Sequence, residues 1–496
     1  MPIDHESVTT IRDDASEMQD RWTRVSDVYE GSDVIKAKGV KYLPRVSSEM
    51  SADAYNAYKS RALFFNGMKP TVEGLTGMVF RKPLDVQRPD VMARDLEAMF
   101  ADVNGAGDSL TEFAQALMRD HVLKTGRAFL WLDMPQQATA NGRPYWRMYA
   151  AEQFINWKTE TRDGRDVLVL AVLREIIEVD GDDEFTVEPR EQYRVLRLTD
   201  NRYTVQLYTV MREGTSIQSI VAGPVITPLS SGTPLSFIPA LVVNADGLGP
   251  LLSNPPLLDL ADVNLSHYQS SADLEHGRHM TGLPTPWVVG APKGGRLLIG
   301  SGAAWILEGD GAKAGMLEFT GQGLSALENA LKDKEAKMAR LGSRPVEGAS
   351  SRAGVEAAET VRLRQSAETA SLSNIANVTS RAITQLARWS AWWAHLTPTE
   401  NNEDILVTLN TDFLDSQIDP AMLREMVNAV GTGVMSFETF WYNLQRGELT
   451  PPDVTPEEEQ ERINAGELND TTTDTDPNAT DDETDETDAT DDDAEG

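Results

Sequence analysis

From Val355 to Leu396 the sequence contains neither glycine nor proline. Read as one helix, that stretch runs roughly 60 Å at 1.5 Å per residue. Leu372, Ile375, Thr379, Ile383, Leu386, Trp389 and Trp393 form a seam along it, and alanines and serines elsewhere permit close packing. A rod of this length must organise whatever surrounds it.

Two further helices precede it. Asn254-Pro255-Pro256 reads as a helix start, with Asn as cap and Pro in the first turn, where no N–H partner is available. Leu257, Ala261, Leu265, Tyr268 and Ala272 then share a face, with Asp259, Asp262, Gln269 and Asp273 off it, up to a stop near Gly282. Ser325-Ala-Leu-Glu328 reads as a capping box opening a helix to Leu341. That helix is expected to bury Leu324, Leu327, Leu331 and Met338, to pair Glu328 with Lys332 and Asp333 with Lys337, and to end at Gly342 and Pro345. Between the two lies a glycine- and proline-rich segment with short strands expected at Trp287–Val289, Arg296–Ile299 and Ala304–Leu307.

The first 130 residues read as helical. Ile11, Met18, Trp22, Val25, Val28 and Tyr29 point to one side of an amphipathic stretch. Tyr55, Tyr58, Ala62, Phe65 and Met68 recur at helical spacing, with Pro70 expected to kink or interrupt the helix. Asp108-Ser109 caps a helix carrying Leu110, Phe113, Leu117, His121 and Val122 that ends before Gly126. From Arg127 to Pro250 the pattern turns to strands: Ala128–Leu132, Val167–Val179, Glu184–Leu198 and Tyr203–Arg212, with turns at Asp180–Asp183 and Thr199–Asn201. After the long helix come a strand at Ile405–Leu409 and helices near Pro420–Val430 and Ser436–Arg446.

Composition narrows the chemistry. With no cysteine, thiolate nucleophiles, thiolate metal sites and disulfides are excluded, and a reducing cytoplasm suits the chain. No 18-residue apolar run is present, so no membrane span is expected, and the acidic start is unlike a signal peptide. The Asn264 and Asn377 sequons read as chance matches within helices. The last 30 residues carry 14 acidic side chains and no basic one, which predicts a disordered tail. Removing those charges from the net −33 leaves about −19. A body this acidic argues against a broad grip on nucleic-acid phosphates, though not against letting nucleic acid slide past.

Catalytic motifs are missing. No phosphate-binding GxxxxGK[ST], GxSxG elbow or HExxH occurs, and Gly309-Asp-Gly311 and Gly321-Gln-Gly323 read as turns. His276 and His279 stand one helical turn apart and can ligate a metal, but beside Gly277 they read better as a polar helix end. Asp180, Asp182, Asp183 and Glu184 lack calcium-loop spacing and read as a solvated hairpin turn. Trp389, Trp392 and Trp393 read as packing rather than as a ligand platform. The residues thus give no catalytic residue, no metal site and no cofactor. The loop after Gly342 stands apart: Arg340, Arg344 and Arg352 surround a small, flexible segment in an acidic protein. Two readings stay open for it, a contact with a polyanion and an ordinary solvent loop.

In order and spacing these elements resemble the portal proteins of tailed bacteriophages, specifically a phage family long catalogued as a domain of unknown function. The carrying residues are Tyr55-Asn-Ala-Tyr58-Lys-Ser-Arg61-Ala62 with Phe65-Asn66, and Thr71 to Pro83 with Gly74, Gly77 and Phe80. Pro256–Ala261, His267-Tyr268, Ser271–Asp273, Gly282-Leu-Pro284, Met338–Gly342, Glu359-Thr360 and Trp389–Trp392 continue them. Each is weak alone; their order over residues 20 to 450 carries the likeness.

The resemblance implies an α+β portal fold, with a mixed wing domain at 1–253, a first stem helix at 254–280, a clip at 281–323 and a second stem helix at 324–342. A tunnel loop at 343–354, a long tunnel helix returning to the wing at 355–414 and a helical crown at 415–465 follow; the disordered acidic tail at 466–496 lies outside what the resemblance covers. It further implies a non-enzymatic ring, usually a dodecamer, at one capsid vertex. Double-stranded DNA would pass through it during packaging and ejection. Its implied partners are the large terminase subunit, the major capsid and scaffolding proteins and a head–tail adaptor, in the virion and, during assembly, in the host cytoplasm. Arg340, Arg344 and Arg352 would line the DNA channel, and Trp287, Arg296 and Trp305 would lie on the clip docking face. The rival readings are another capsid or head–tail adaptor component, and, further off, a metal-dependent hydrolase, which would need a concave carboxylate–histidine cluster.

Overall fold

The computed structural model describes residues 5–135, 142–181, 183, 185–213, 216–282, 285–290, 307, 309–317, 321, 323–343, 358–411, 413, 420–447, 449–451 and 454–465. Contacts divide the chain into two units, Met1–Phe413 and Leu414–Gly496. It is a mixed α+β protein.

The first unit begins with helices α1 (Asp13–Glu30), α2 (Ser32–Lys38), α3 (Ala52–Arg61) and α4 (Met68–Val79). Met18, Trp22, Val25, Val28 and Tyr29 are buried along α1 as their spacing predicts, but Ile11 lies outside the helix and is exposed. Pro70 does not kink a continuous helix. The chain breaks at residues 62–67, and Pro70 sits in the first turn of α4, where its missing N–H leaves nothing unpaired. The Asn66 side chain accepts from the Lys69 N–H at 3.0 Å and so opens α4. After strand β1 (Asp85–Gln87) and helix α5 (Ala93–Phe100), helix α6 (Leu110–Ala116) starts with a capping box between Ser109 and Glu112. A π-helical turn over Leu117–Val122 continues it, and Gly126, at φ +75°, reverses the chain.

Strands β2 (Arg127–Asp133) and β3 (Tyr145–Ala150) follow, then β4 (Phe154–Arg162), β5 (Arg165–Asp180), β6 (Val187–Thr199), β7 (Arg202–Glu213) and β8 (Ser216–Ile226). The last five form an antiparallel meander in chain order. Asp200 and Asn201, both at positive φ, make the tight β6–β7 turn read at Thr199–Asn201. After the short hairpin of β9 (Leu229–Ser230) and β10 (Thr233–Pro234), strand β11 (Ala240–Asn244) returns to the other side of β2, giving a three-stranded sheet ordered β11-β2-β3.

Helix α7 (Leu258–Gly282), strands β12 (Thr285–Val289) and β13 (Lys313–Leu317), helix α8 (Leu324–Ser343), helix α9 (Ala358–Trp393) and strand β14 (Leu406–Thr408) complete the unit. The seam of α9 is buried from Leu372 to Trp393. Trp389 and Trp392 pack on Phe237, and the Trp393 indole N–H donates to the Leu229 carbonyl at 2.9 Å, so this aromatic group is core. Among the described residues, β14 pairs only with β1. On its other side, hydroxyls of α9 stand in for a strand: Thr384 Oγ1 both donates to the Val407 carbonyl and accepts from the Val407 N–H, and Ser380 Oγ accepts from the Leu409 N–H.

Several local expectations are corrected. α7 starts at Leu258, later than Asn254. Asn254 caps nothing there; its side-chain oxygen accepts from Arg21 Nη1 at 2.5 Å, bringing α1 to the start of α7. α8 begins at Leu324, one residue before Ser325, so Ser325 is inside the first turn, and the Gly323 carbonyl takes the Leu327 N–H. Glu328 pairs with Arg278 of α7 at 2.8 Å rather than along its own helix with Lys332. Of the four apolar residues expected to be buried on α8, only Met338 is fully so; Leu324, Leu327 and Leu331 are half-buried. The strand partnering Trp287–Val289 is Lys313–Leu317, which the sequence reading missed.

The second unit contains helices α10 (Pro420–Gly431), α11 (Phe437–Arg446) and α12 (Pro456–Asn464). Ser436 caps α11, and Thr455 with Glu458 forms a capping box on α12. Trp441 is buried, stacked on Phe437, and donates to the Val454 carbonyl at 3.0 Å. Residues 466–496, expected as a disordered tail, lie outside the described residues.

Candidate functional site

The feature to explain is the helix–ribbon–helix formed by α7, β12–β13 and α8. Its two helices run antiparallel. Near the root, Lys334 Nζ donates to the Ser266 carbonyl at 2.9 Å and to Ser270 Oγ at 2.6 Å, and His267 Nε2 lies 3.2 Å from Glu335. Burial holds the Lys334 ammonium below the usual lysine range. At the far end Arg278 bridges Glu275 and Glu328, each at 2.8 Å, and Gly277 passes so close to Leu324 that a Cβ there would lie 2.6 Å from the leucine Cδ2. The glycine therefore leaves room for the Leu324 side chain against α7.

The root is fixed to the N-terminal helices by polar contacts. Asn264 is fully buried; its amide donates to the Phe65 carbonyl at 2.8 Å and its oxygen accepts from the Gly67 N–H at 2.9 Å. Tyr58 donates to Asp273 at 2.7 Å, Gln269 to the Tyr42 carbonyl at 3.0 Å, and Arg24 pairs with Asp262 at 2.8 Å. Asn264 fits this role because it lies three residues after Ala261 and four before Tyr268, on the apolar face. Its position in a sequon has no bearing on the fold: a fully buried amide offers nothing to a modifying enzyme.

Toward the ribbon, burial declines. The α7 positions from Arg278 to Met280 are exposed, as are Ser325, Ala326 and Asn329 of α8, whereas Met338 and Gly342 at the root are buried. The ribbon pairs Thr285 with Leu317 through Val289 with Lys313. Trp287 lies opposite Gly315 and is 42% exposed, with Val289 and Met316 also exposed. A two-stranded ribbon is marginal on its own, so these side chains are available to a partner.

Trp287 and Arg340 are the two expected site residues within the described region. Trp287 is on the ribbon, and Arg340 is exposed in the last turn of α8 at the root, so the structure puts them at opposite ends of the hairpin. Arg296, Trp305, Arg344 and Arg352 lie outside the described residues. His276 packs edge-on against Tyr58 with Arg61 3.4 Å from Nδ1; burial and Arg61 lower its pKa. Among the described residues no three His, Asp or Glu side chains converge to hold a metal, and no helix is long and apolar enough to cross a membrane.

A family profile described as "Domain of unknown function (DUF4055)" matches residues 256–394, which run from just before α7 to the end of α9. The match therefore covers the two-helix projection and the long helix, and less than half of the chain. No curated protein matches the chain at a significant level. Among solved structures, a chain in "Neck of empty GTA particle computed with C6 symmetry" is 13% identical over 78% of this chain and 91% of that one, with a TM-score of 0.36. A likeness at that score carries no argument about fold or assembly.

Proposed function

We propose that this chain is a portal-like ring subunit, one of about a dozen copies at a single capsid vertex of a phage-like particle. The observation that carries the reading is the order α7, β12–β13, α8, α9: two antiparallel helices fixed at one end to a helical body, a sparsely buried ribbon at the other, and a long core helix after them. The profile match over the same residues supports treating them as one functional piece.

In this reading α7 and α8 are the stem and the ribbon is the clip, the docking face for the terminase motor and later the head–tail adaptor, with Trp287, Arg296 and Trp305 upon it. Residues 343–354 form the tunnel loop. Arg340, Arg344 and Arg352 make transient contacts with passing double-stranded DNA, sparse enough in an acidic protein to release. Residues 415–465 are the crown. The subunit works as a conduit and not as an enzyme, in the virion and, during assembly, in the host cytoplasm beside capsid and scaffolding proteins.

Negative-stain electron microscopy with mass measurement of the purified full chain tests this. Closed rings with an axial hole are expected. Monomers alone across a range of salt concentrations, or turnover of ATP or DNA by the pure protein, would overturn it.

A further inference from the structure

The β5–β6 hairpin outruns its sheet. β6 pairs with β7 only as far as Gln192 opposite Thr209, whereas β5 and β6 remain paired out to Asp180 opposite Val187. From Ile176 and Glu191 onward the hairpin is a two-stranded arm. The register puts Ile176, Glu178 and Asp180 on one face with Val187, Pro189 and Glu191. That face interleaves Ile176, Val187 and Pro189 with the carboxylates of Glu178 and Asp180, while Glu191 at its base is already paired with Arg174 at 2.7 Å. Ile176 is 66% exposed, Val187 59%, and Phe185 at the turn 87%. Asp183 and Glu188 add further exposed negative charge. An isolated ribbon with an outward aromatic at its tip is poorly stabilised by its own contacts.

The complementary surface is on the same chain. A cleft of about 660 Å³ lies along α9, between Leu241 and Leu248 on one side and Leu406 to Thr408 on the other. Among the described residues its lining includes the guanidinium-bearing Arg381 and Arg388 and no carboxylate. Arg388 is held by the Ile405 and Glu403 carbonyls at 2.9 and 3.4 Å. Arg381 is exposed, with no ion pair among the described residues. In a chain of net charge −33, a cleft whose described ionisable lining is all positive stands out.

We infer that the β5–β6 arm of one copy docks in the α9 cleft of a second copy, with Phe185 and the Ile176 face over the apolar lining and the arm's carboxylates facing Arg381 and Arg388. Both halves of the match reside on each chain, so every copy offers one arm and one cleft. Such a contact is head-to-tail, and repeats around a ring when its rotation closes. The inference rests on the ring reading for closure but assigns it a specific contact outside the α7–α8 hairpin.

The absence of cysteine gives a direct test. Full-length protein carrying both Asp183→Cys and Arg381→Cys, treated with a mild oxidant, is expected to give a ladder of covalent multimers on a denaturing gel, while either single substitution stops at dimers. A ring of unchanged mass that yields no ladder overturns the contact and leaves the ring reading standing. A compact cross-linked monomer overturns it too, since the arm would then reach its own cleft. Monomers by mass without oxidant overturn both. As a second arm, Arg381→Glu should raise the concentration for half-assembly by about tenfold, and adding Asp183→Arg should recover it; assembly unaffected by Arg381→Glu refutes the docking.

Discussion

The indole of Trp287 covers Gly315, its register partner across the β12–β13 ribbon: a Cβ at position 315 would fall 2.9 Å from three indole atoms. The pair gives this two-stranded element a cross-strand contact of its own, of the kind worth about 0.2–1 kcal/mol. Gly315→Val should therefore displace the indole while leaving the body intact. The emission of Trp287, read as the difference between spectra with and without Trp287→Phe, should shift to the red with little change in melting temperature; an unshifted difference spectrum would show that the ring does not lie there.

At the hairpin's far end the same logic applies to Gly277. Gly277→Ala gains about 1 kcal/mol of helix propensity and needs only a small movement of the half-buried Leu324, so the two effects nearly offset. Gly277→Leu leaves no such escape and should cost about 1–3 kcal/mol. Leu324→Ala in that background should recover part of the loss. Denaturant midpoints for the three variants decide it, and a Gly277→Leu protein as stable as wild type would show that the helices are free to separate.

Asn264 should be among the least replaceable residues of α7. Asn264→Leu keeps the branched heavy-atom outline but leaves the Phe65 carbonyl and the Gly67 N–H without this partner, a loss of about 2–4 kcal/mol. Hydrogen exchange offers a local readout: protection at Gly67 should fall far more than at β2. Equal loss at both would point to global unfolding instead.

His121 supplies a pH dependence. It sits half-buried in the π-helical turn, its Nδ1 shielded from solvent and without a partner, and desolvation, reinforced by Lys124, pushes its pKa down to about 4. An imidazole lowered in the fold stays neutral there while the unfolded chain takes up a proton below about 6.5. Stability is thus fully present above 6.5 and is lost as pH falls from there toward 4, by about 3 kcal/mol over the window for this group alone. Urea titrations of wild type and His121→Leu at pH 7.5 and 4.5 should show the variant losing less on acidification. Equal losses would mean that the imidazole is hydrated.

Among the described residues, Arg127 is buried without a carboxylate partner. Its Nη1 donates to the Pro250 and Leu251 carbonyls, each at 3.1 Å, its guanidinium lies over Phe154 and Trp157, and burial lowers it to about 10. It fastens the segment leading into α7. Arg127→Met should cost about 2–4 kcal/mol and raise hydrogen exchange over residues 245–252 first. Uniform exchange across the unit would refute that local role.

The sequence was most legible where one period ran unbroken. The seam of α9 needs only positions three and four apart, and every seam residue from Leu372 to Trp393 is buried. The meander could be read because Asp200 and Asn201 announce their own turn. Pairings across long separations were not legible: β11 meets β2 about 110 residues away, and β14 meets β1 more than 300 away, through short stretches with no distinguishing pattern. Helix starts were misjudged where a side chain with capping chemistry had a tertiary use, as with Asn254 and Arg21. Of the hairpin's fastenings, Asn264 left a trace as a polar residue on an apolar face, whereas Lys334 reads in sequence like any exposed lysine. Its contact with Ser266 exists only once two helices meet.

The bonds from Thr384 and Ser380 to β14 carry one more implication. A strand flanked by a helix whose hydroxyls occupy its backbone groups cannot template another strand on that side. When many identical copies gather at high local concentration, an open strand border invites uncontrolled fibrous growth. Here that border is sealed from within the same molecule, so accretion by strand addition is blocked on that side. Thr384→Val would strip the Val407 N–H and carbonyl of this partner and leave Ser380 alone to hold that border.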